Sequence, residues 1–373
     1  MKSDTALYGP QRIAAARAAV GQADLDALVL TPGAELRYLS GYDAKPSERL
    51  TALVVPADGP ARLVVPRLER PGAQGSPASS CGVEIVDYAD GDDPFALAGE
   101  LLPHASPRIG ASERMWALHW HGLSTALPGA RLRLASEVID PMRMVKSDAE
   151  VAELARAAEA VDRVHSRMGE WLRAGRAEAE VARDVAAAIL DEGHVGVSFV
   201  IVASGPNGAS PHHRPGDRIV EAGDVVVVDI GGVVSAGYGS DCTRTYSLGA
   251  PPEDFVAYYE PLRAAHRAGV EAARPGVSAE SVDAAAREVL RQAGYSEYFT
   301  HRTGHGIGLD GHEAPYIVGG DKTVLREGMA FSVEPGVYLP GRHGARIEDI
   351  VVCVEGGARR LNTLSTELKV LLG

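Results

Sequence analysis

Along this chain, short β-branched runs alternate with longer stretches whose apolar residues recur at helical spacing. Pro10–Gln22 is rich in Ala and Arg at helical intervals, and Pro10 suits a first helical turn. Strands are predicted at residues 26–30, 51–56, 61–66, 83–88, 108–110 and 131–134. Asp58-Gly59-Pro60 marks a hairpin between the second and third of these. Helical segments at 94–102 and 118–127 lie between the strands, and residues 35–42 bring aromatics, Tyr38 and Tyr42 among them, near a turn. Such alternation predicts a small α/β domain with a mixed sheet.

Around Pro141 the texture changes. Residues 147–173 predict one long amphipathic helix, with Ser147 as N-cap and Glu150 completing a capping box. A second helix is predicted at 176–192, then strands at 197–204 and 224–234. Helices at 252–273 and 277–294 follow, with strands at 329–338 and 345–353 beyond them. Two helices and a strand pair, twice over, suggest a duplicated architecture without a residue-level repeat. The expected domains are residues 1–144 and 145–373, in an α/β (α+β) chain.

The 373 residues, 45% hydrophobic and 23% charged, can bury a large core. The net charge of −13, with no Lys/Arg block, argues against nucleic-acid or anionic-membrane partners. Cys81, Cys242 and Cys353 are far apart and form no CxxC, which fits a reducing compartment and excludes a thiolate zinc site. Without an apolar leader or span, a cytoplasmic protein is expected.

The unusual chemistry lies in four stretches. Residues 225–245 run from four valines into Asp229, then through a glycine-rich turn to Asp241. Residues 299–317 hold His301, His305 and His312 among glycines whose backbone freedom lets imidazoles approach a common point. Residues 329–338 and 345–353 place Glu334 and Glu348 in apolar strands. Alone, Asp229 reads as a turn acid and either glutamate as half of a buried salt bridge. Together, four acids converging on one buried site call for cations. An oxygen-rich set with one imidazole suits Mn²⁺, Co²⁺ or Zn²⁺, and bridging carboxylates can hold two ions about 3.5–4 Å apart. The glycine pairs make no G-x-G-x-x-G opening a helix, so a nucleotide loop is rejected.

These five residues, in S-D-C-T-R-T, G-H-G-I-G, E-P-G and R-I-E-D contexts, resemble the metal-ligand pattern of the creatinase/aminopeptidase P/prolidase ("pita-bread") metallopeptidases. The likeness spans nearly the whole chain and is greatest to bacterial Xaa-Pro dipeptidases. It implies a creatinase-like N-terminal α/β domain before a pita-bread catalytic domain with pseudo-twofold halves. It further implies two divalent ions, Mn²⁺ first, held by Asp229, Asp241, His305, Glu334 and Glu348. Asp241 and Glu348 would bridge, and Glu334 would also act as general base while a metal-activated water attacks the scissile carbonyl.

By the same resemblance His212 contacts substrate, His312 stabilises the tetrahedral intermediate, and Arg346 orients the ligands. Only one of His212 and His213 should face the site, and spacing favours His212. Tyr238 and Thr243 would stand behind the ligands. His301 reads equally as a pocket or a core histidine, Arg346 also as a structural partner, and His119 and His121 as surface or packing residues. The segment from Asp229 to Asp241 is slightly longer than in some relatives, the extra length falling in the turn. The implied substrate is a small peptide with proline second, cut by a homodimeric enzyme. The alternatives are an aminopeptidase P acting on longer peptides and a non-catalytic binding protein on this fold.

Overall fold

The computed structural model describes residues 7–103 and 107–371, and the chain divides into two units, Met1–Arg143 and Met144–Gly373. In the first unit, β1 (Ala27–Leu30), β2 (Ala52–Pro56), β3 (Ala61–Pro66), β4 (Val83–Tyr88), β5 (Arg108–Ala111) and β6 (Arg131–Leu134) form one mixed sheet in the order β4-β3-β2-β1-β5-β6. The hairpin through Asp58-Gly59 pairs β2 antiparallel to β3, whereas β1–β5 and β5–β6 are parallel. Helix α1 (Pro10–Gln22) begins at the expected proline. The 35–42 stretch brings its aromatics to a turn as expected, and adds a helix: α2 (Ala34–Ser40) is ended by Gly41 in the left-handed region at φ 70°, and Tyr38 and Tyr42 are buried. His119 is also buried, packed on Trp116 and bonded to the Ser47 carbonyl, so it is a packing residue.

The second unit opens with α3 (Asp148–Ser166). Ser147 caps it and Glu150 closes the capping box. It does not reach Arg173: the chain turns through a short 3₁₀ segment at Met168–Glu170 and restarts as α4 (Glu178–Asp191). Strands β7 (Gly196–Ser204), β8 (Val225–Val233) and β9 (Cys242–Leu248) follow, with α5 (Glu253–Ala272) and α6 (Ala279–Gln292) next. The C-terminal strand β17 (Lys369–Leu371) joins the sheet β17-β9-β8-β7.

A second sheet takes the order β11-β10-β12-β15-β16, built from β10 (Gly304–Gly306), β11 (Glu313–Ile317), β12 (Ala330–Val333), β15 (Asp349–Val354) and β16 (Gly357–Arg360). Between β12 and β15 in sequence lies a separate ribbon of β13 (Gly336–Leu339) and β14 (His343–Arg346). The order helix, helix, strands therefore occurs twice. Each unit is thus α/β, the first built on one mixed sheet and the second on two sheets and a ribbon. Among the described residues no helix is long and apolar enough to cross a membrane.

Two sequence-based placements change here, and both matter for the site. Residues 329–338 and 345–353 are not continuous strands. Each breaks at its glutamate: Glu334 lies between β12 and β13, and Glu348 between β14 and β15. The two breaks face one another, because β12 pairs with β15 as far as Val333–Asp349 and β13 with β14 from Gly336–Arg346. Where both chains pass from sheet to ribbon, neither glutamate is committed to a ladder face.

Candidate metal centre and active site

Strand β8 explains its own valines. Successive side chains point to opposite faces, so Val226, Val228 and Ile230 enter a core with Val181, Val185 and Ile189 from α4. Asp229, between them, points the other way and is 7% exposed. Strand β9 runs antiparallel with Thr243 opposite Asp229, which brings Asp241, just ahead of β9, to the same end of the hairpin.

His305 sits on strand β10 rather than in a turn, and its glycines serve a different purpose from the one expected. Gly304 and Gly306 have no positive φ. A Cβ on Gly304 would stand 1.8 Å from the Ser332 carbonyl oxygen, and one on Gly306 2.3 Å from that of Ala314. They permit close approach of the neighbouring strands, which places the His305 ring among the acids.

Donor atoms of Asp229, Asp241 and Glu348 lie within 4.8 Å of one another, as do those of His305, Glu334 and Glu348, and those of Asp241, His305 and His312. His305 Nε2 is 3.4 Å from Glu334 and 3.7 Å from Asp241. Its Nδ1 faces the Gly306 carbonyl at 3.1 Å. Thr243 donates to Glu348 at 2.8 Å. The His305 backbone N–H donates to Ser332 Oγ at 3.0 Å, and Ser332 donates to Glu334 at 3.1 Å.

The charges are out of balance. Burial, then the charges of Asp229 and Glu334, push the Asp241 carboxyl well above the usual carboxylate range. Burial, then Asp241 and Glu334, do the same to Glu348. Glu334 is pushed up to about 7, chiefly by burial, and His305 down to about 3 by burial and the neighbouring His312. Arg346 answers part of this, donating to Asp229 Oδ2 at 2.6 Å, but Asp229 Oδ1 is buried without a hydrogen bond. An uncommitted buried carboxylate oxygen beside mutually repelling acids and one imidazole fits divalent cations.

Arg346 is itself held by a directional chain. It donates to the Tyr338 hydroxyl at 2.8 Å. Tyr338 donates to His301 Nε2 at 2.9 Å, and His301 Nδ1 donates to the Arg302 carbonyl at 2.7 Å. Arg346 also reaches Thr243 at 3.0 Å and the Pro211 carbonyl at 3.3 Å. His301 thus supports Arg346 and lines the cavity as well, with burial lowering it to about 4.

That cavity, about 620 Å³, is lined by all five acids and histidines of the centre and by Phe199, Ile201, His212, His301, Arg302 and His312. His212 is exposed within it. His213 also lines it but is tied at 2.6 Å to the buried Glu178, which fixes its ring. Tyr238, expected behind the ligands, donates instead to Glu150 of the α3 capping box at 2.8 Å. Next to His312, Glu313 is buried in an ion pair with Lys146 at 2.7 Å.

Residues 152–355 match metallopeptidase family M24, and residues 12–145 match the creatinase/prolidase N-terminal domain. The chain belongs to metallopeptidase family M24. Over 368 residues it is 52% identical to the probable dipeptidase PepE of Mycobacterium tuberculosis, covering 99% of this chain and 98% of that protein. It is 34% identical over 358 residues to the Xaa-Pro dipeptidase of Lactobacillus delbrueckii subsp. lactis, covering 93% and 95%. The crystal structure of dipeptidase PepE from Mycobacterium ulcerans superposes with a TM-score of 0.95 at 54% identity, covering 99% of both chains.

Within this M24 centre, sequence reasoning passed over Ser332, Tyr338 and Arg302. Ser332 stands two residues before Glu334, a polar residue in an otherwise apolar run, the one signal that could have marked it. Tyr338 and Arg302 gave no such signal, because their partners lie on other elements.

Proposed function

We propose that this M24 metallopeptidase hydrolyses Xaa-Pro bonds, chiefly those of Xaa-Pro dipeptides, as a prolidase. The observation that carries the reading is the gathering of Asp229, Asp241, His305, Glu334 and Glu348 beside a cavity of about 620 Å³, a size suited to a small peptide. The similarity to a named Xaa-Pro dipeptidase over 93% of the chain supports the choice of bond.

In this reading Asp229, Asp241, His305, Glu334 and Glu348 would hold two divalent cations, with Asp241 and Glu348 shared between them. Mn²⁺ is the proposed ion, with Co²⁺ or Zn²⁺ suited to the same donors. When bound, the pair supplies Lewis-acid polarisation and a water of lowered pKa. Glu334 takes the proton of the attacking water at a carboxylate oxygen and hands it to the proline nitrogen, which cannot leave unprotonated. Ser332 fixes the rotamer of Glu334 for that transfer. Arg346 and Thr243 hold Asp229 and Glu348 in place. His212 binds substrate from the cavity wall, and His312 donates to the oxygen that gains charge.

A cytoplasmic homodimer completes the proposal. The three buried cysteines, none in a disulfide, agree with the compartment, and sedimentation velocity reads the assembly. The deciding experiment is hydrolysis of Ala-Pro, Ala-Gly and Ala-Pro-Gly with Mn²⁺, Co²⁺ and Zn²⁺ supplied in turn. Ala-Pro should be cut fastest, and with Mn²⁺. Faster cleavage of Ala-Pro-Gly would make the enzyme an aminopeptidase P. No hydrolysis and no bound metal at saturating Mn²⁺ would make it a binding protein.

A further inference from the structure

His305 and His312 stack face to face, ring centroids 3.7 Å apart and planes 27° from parallel. Each offers a donor atom within 4.8 Å of Asp241, so by position alone either is a candidate metal ligand. Their hydrogen bonds separate them. His305 Nδ1 meets the Gly306 carbonyl at 3.1 Å. A carbonyl oxygen only accepts, so the His305 proton lies on Nδ1 and Nε2 keeps its lone pair. That is the arrangement of metal-binding histidines, which donate their other N–H to a carbonyl or carboxylate.

His312 is the reverse. Its Nδ1 lies 2.9 Å from Arg302 Nη2. A guanidinium has five donors and no acceptor, so Nδ1 carries the lone pair and accepts. The neutral ring must then carry its proton on Nε2. Neither nitrogen is free for a cation: one accepts from Arg302, the other is an N–H donor. Arg302 is in turn seated over the Tyr316 ring, 4.6 Å from its centroid, and both Arg302 and His312 line the cavity.

We propose that Arg302 is a positioning residue that sets the tautomer of His312, making it an N–H donor to substrate and keeping it out of the metal shell. Two stacked imidazoles thereby hold opposite protonation patterns, one a ligand and one a donor. The donor role rests on the Xaa-Pro peptidase reading, whereas the tautomer does not.

The test is ¹⁵N NMR of the full-length, histidine-labelled protein loaded with Zn²⁺, with His312 assigned by difference from His312→Gln. In the wild type, His312 Nδ1 should give an unprotonated resonance and Nε2 a protonated one, the mirror of His305. In Arg302→Met the His312 pair should lose this pattern, through tautomer exchange or a zinc-bound nitrogen. Arg302→Lys, which keeps a donor, should preserve it. With Ala-Pro as substrate, Arg302→Met should lower kcat about 10–100-fold with little change in KM, and Arg302→Lys should restore most of the loss. An unchanged His312 spectrum in Arg302→Met, or Arg302→Lys as impaired as Arg302→Met, overturns the proposal. A wild type that cuts no Xaa-Pro peptide overturns the peptidase reading instead, while the spectrum still reports the tautomer.

Discussion

Glu348 and Asp349 are neighbours in sequence, both fully buried acids, and they live in opposite electrostatic worlds. Asp349 works against burial but meets Arg244 at 2.6 Å, Arg360 at 2.6 Å and the His266 ring at 3.0 Å, and these neighbours, Arg244 first, hold its carboxyl well below the usual range. Glu348 faces Asp241, Glu334 and Asp229, and burial plus those charges drive it well above. The fold sets two guanidiniums, those of Arg244 and Arg360, against the single Asp349 carboxylate. It sets Arg346 among Glu348 and its three fellow acids. A structural acid brings its counterions in the chain; the acids of the centre are arranged for counterions that come from outside. The two clusters are also joined, because Arg244 binds Asp349 and donates to the Glu348 carbonyl at 2.7 Å. The stable cluster thus anchors the strained one.

The contrast can be broken most sharply at the residues proposed to hold the cations. His305→Ala and Glu348→Ala should take Ala-Pro hydrolysis to background and lower bound metal measured by mass spectrometry. Wild-type turnover by either would remove that residue from the centre. Glu334→Gln should keep the fold by circular dichroism and lower kcat about 10²–10⁴-fold; a retained kcat would show that another group is the base.

The next effects concern stability. Asp349→Ala leaves the Arg244 and Arg360 guanidiniums facing an empty site and should cost about 3–5 kcal/mol in denaturant unfolding. Glu348→Gln removes a carboxyl whose ionisation the site opposes and should stabilise the metal-free protein by about 1–2 kcal/mol. If both substitutions destabilise alike, the two clusters do not differ as argued.

The smallest effect is a pH dependence. In metal-free protein Glu334 titrates near 7 against an ordinary value of 4.5, so the folded state holds a proton that the unfolded chain releases. Stability of the metal-free protein should therefore fall as pH rises through that window, and Mn²⁺ should reverse the fall. A melting temperature that rises over the same range would contradict the charge imbalance.

Much of the centre was legible in the chain itself. An aspartate after four valines, a second in Ser-Asp-Cys-Thr-Arg-Thr, and glutamates within apolar runs all violate the rule that charges avoid the core, which made them visible. The helices and strands were legible for the same reason that hydrophobic spacing is local: most expected elements agree to within a few residues. The long helix expected to Arg173 was not: α3 stops at Ser166, and the chain passes into a 3₁₀ turn that holds Gly169. Nor was the helix at Ala34–Ser40, only seven residues long and too short for helical spacing to declare itself.

The sequence by itself determined which residues are anomalous, and with them the chemistry: oxygen donors, one imidazole, small flanking residues and no thiolate. Those properties belong to residue types and their immediate neighbours. Only the tertiary structure decided that Glu334 and Glu348 sit at facing breaks between sheet and ribbon, that the glycines beside His305 admit neighbouring backbone, and that stacked histidines carry their protons on opposite nitrogens. Each of these depends on partners brought together by strand pairing: Ser332 against Gly304, Arg302 against His312, Asp349 beside Arg244. Such contacts join residues far apart in the chain, and spacing along a sequence carries no information about which side of an imidazole faces a carbonyl and which faces a guanidinium.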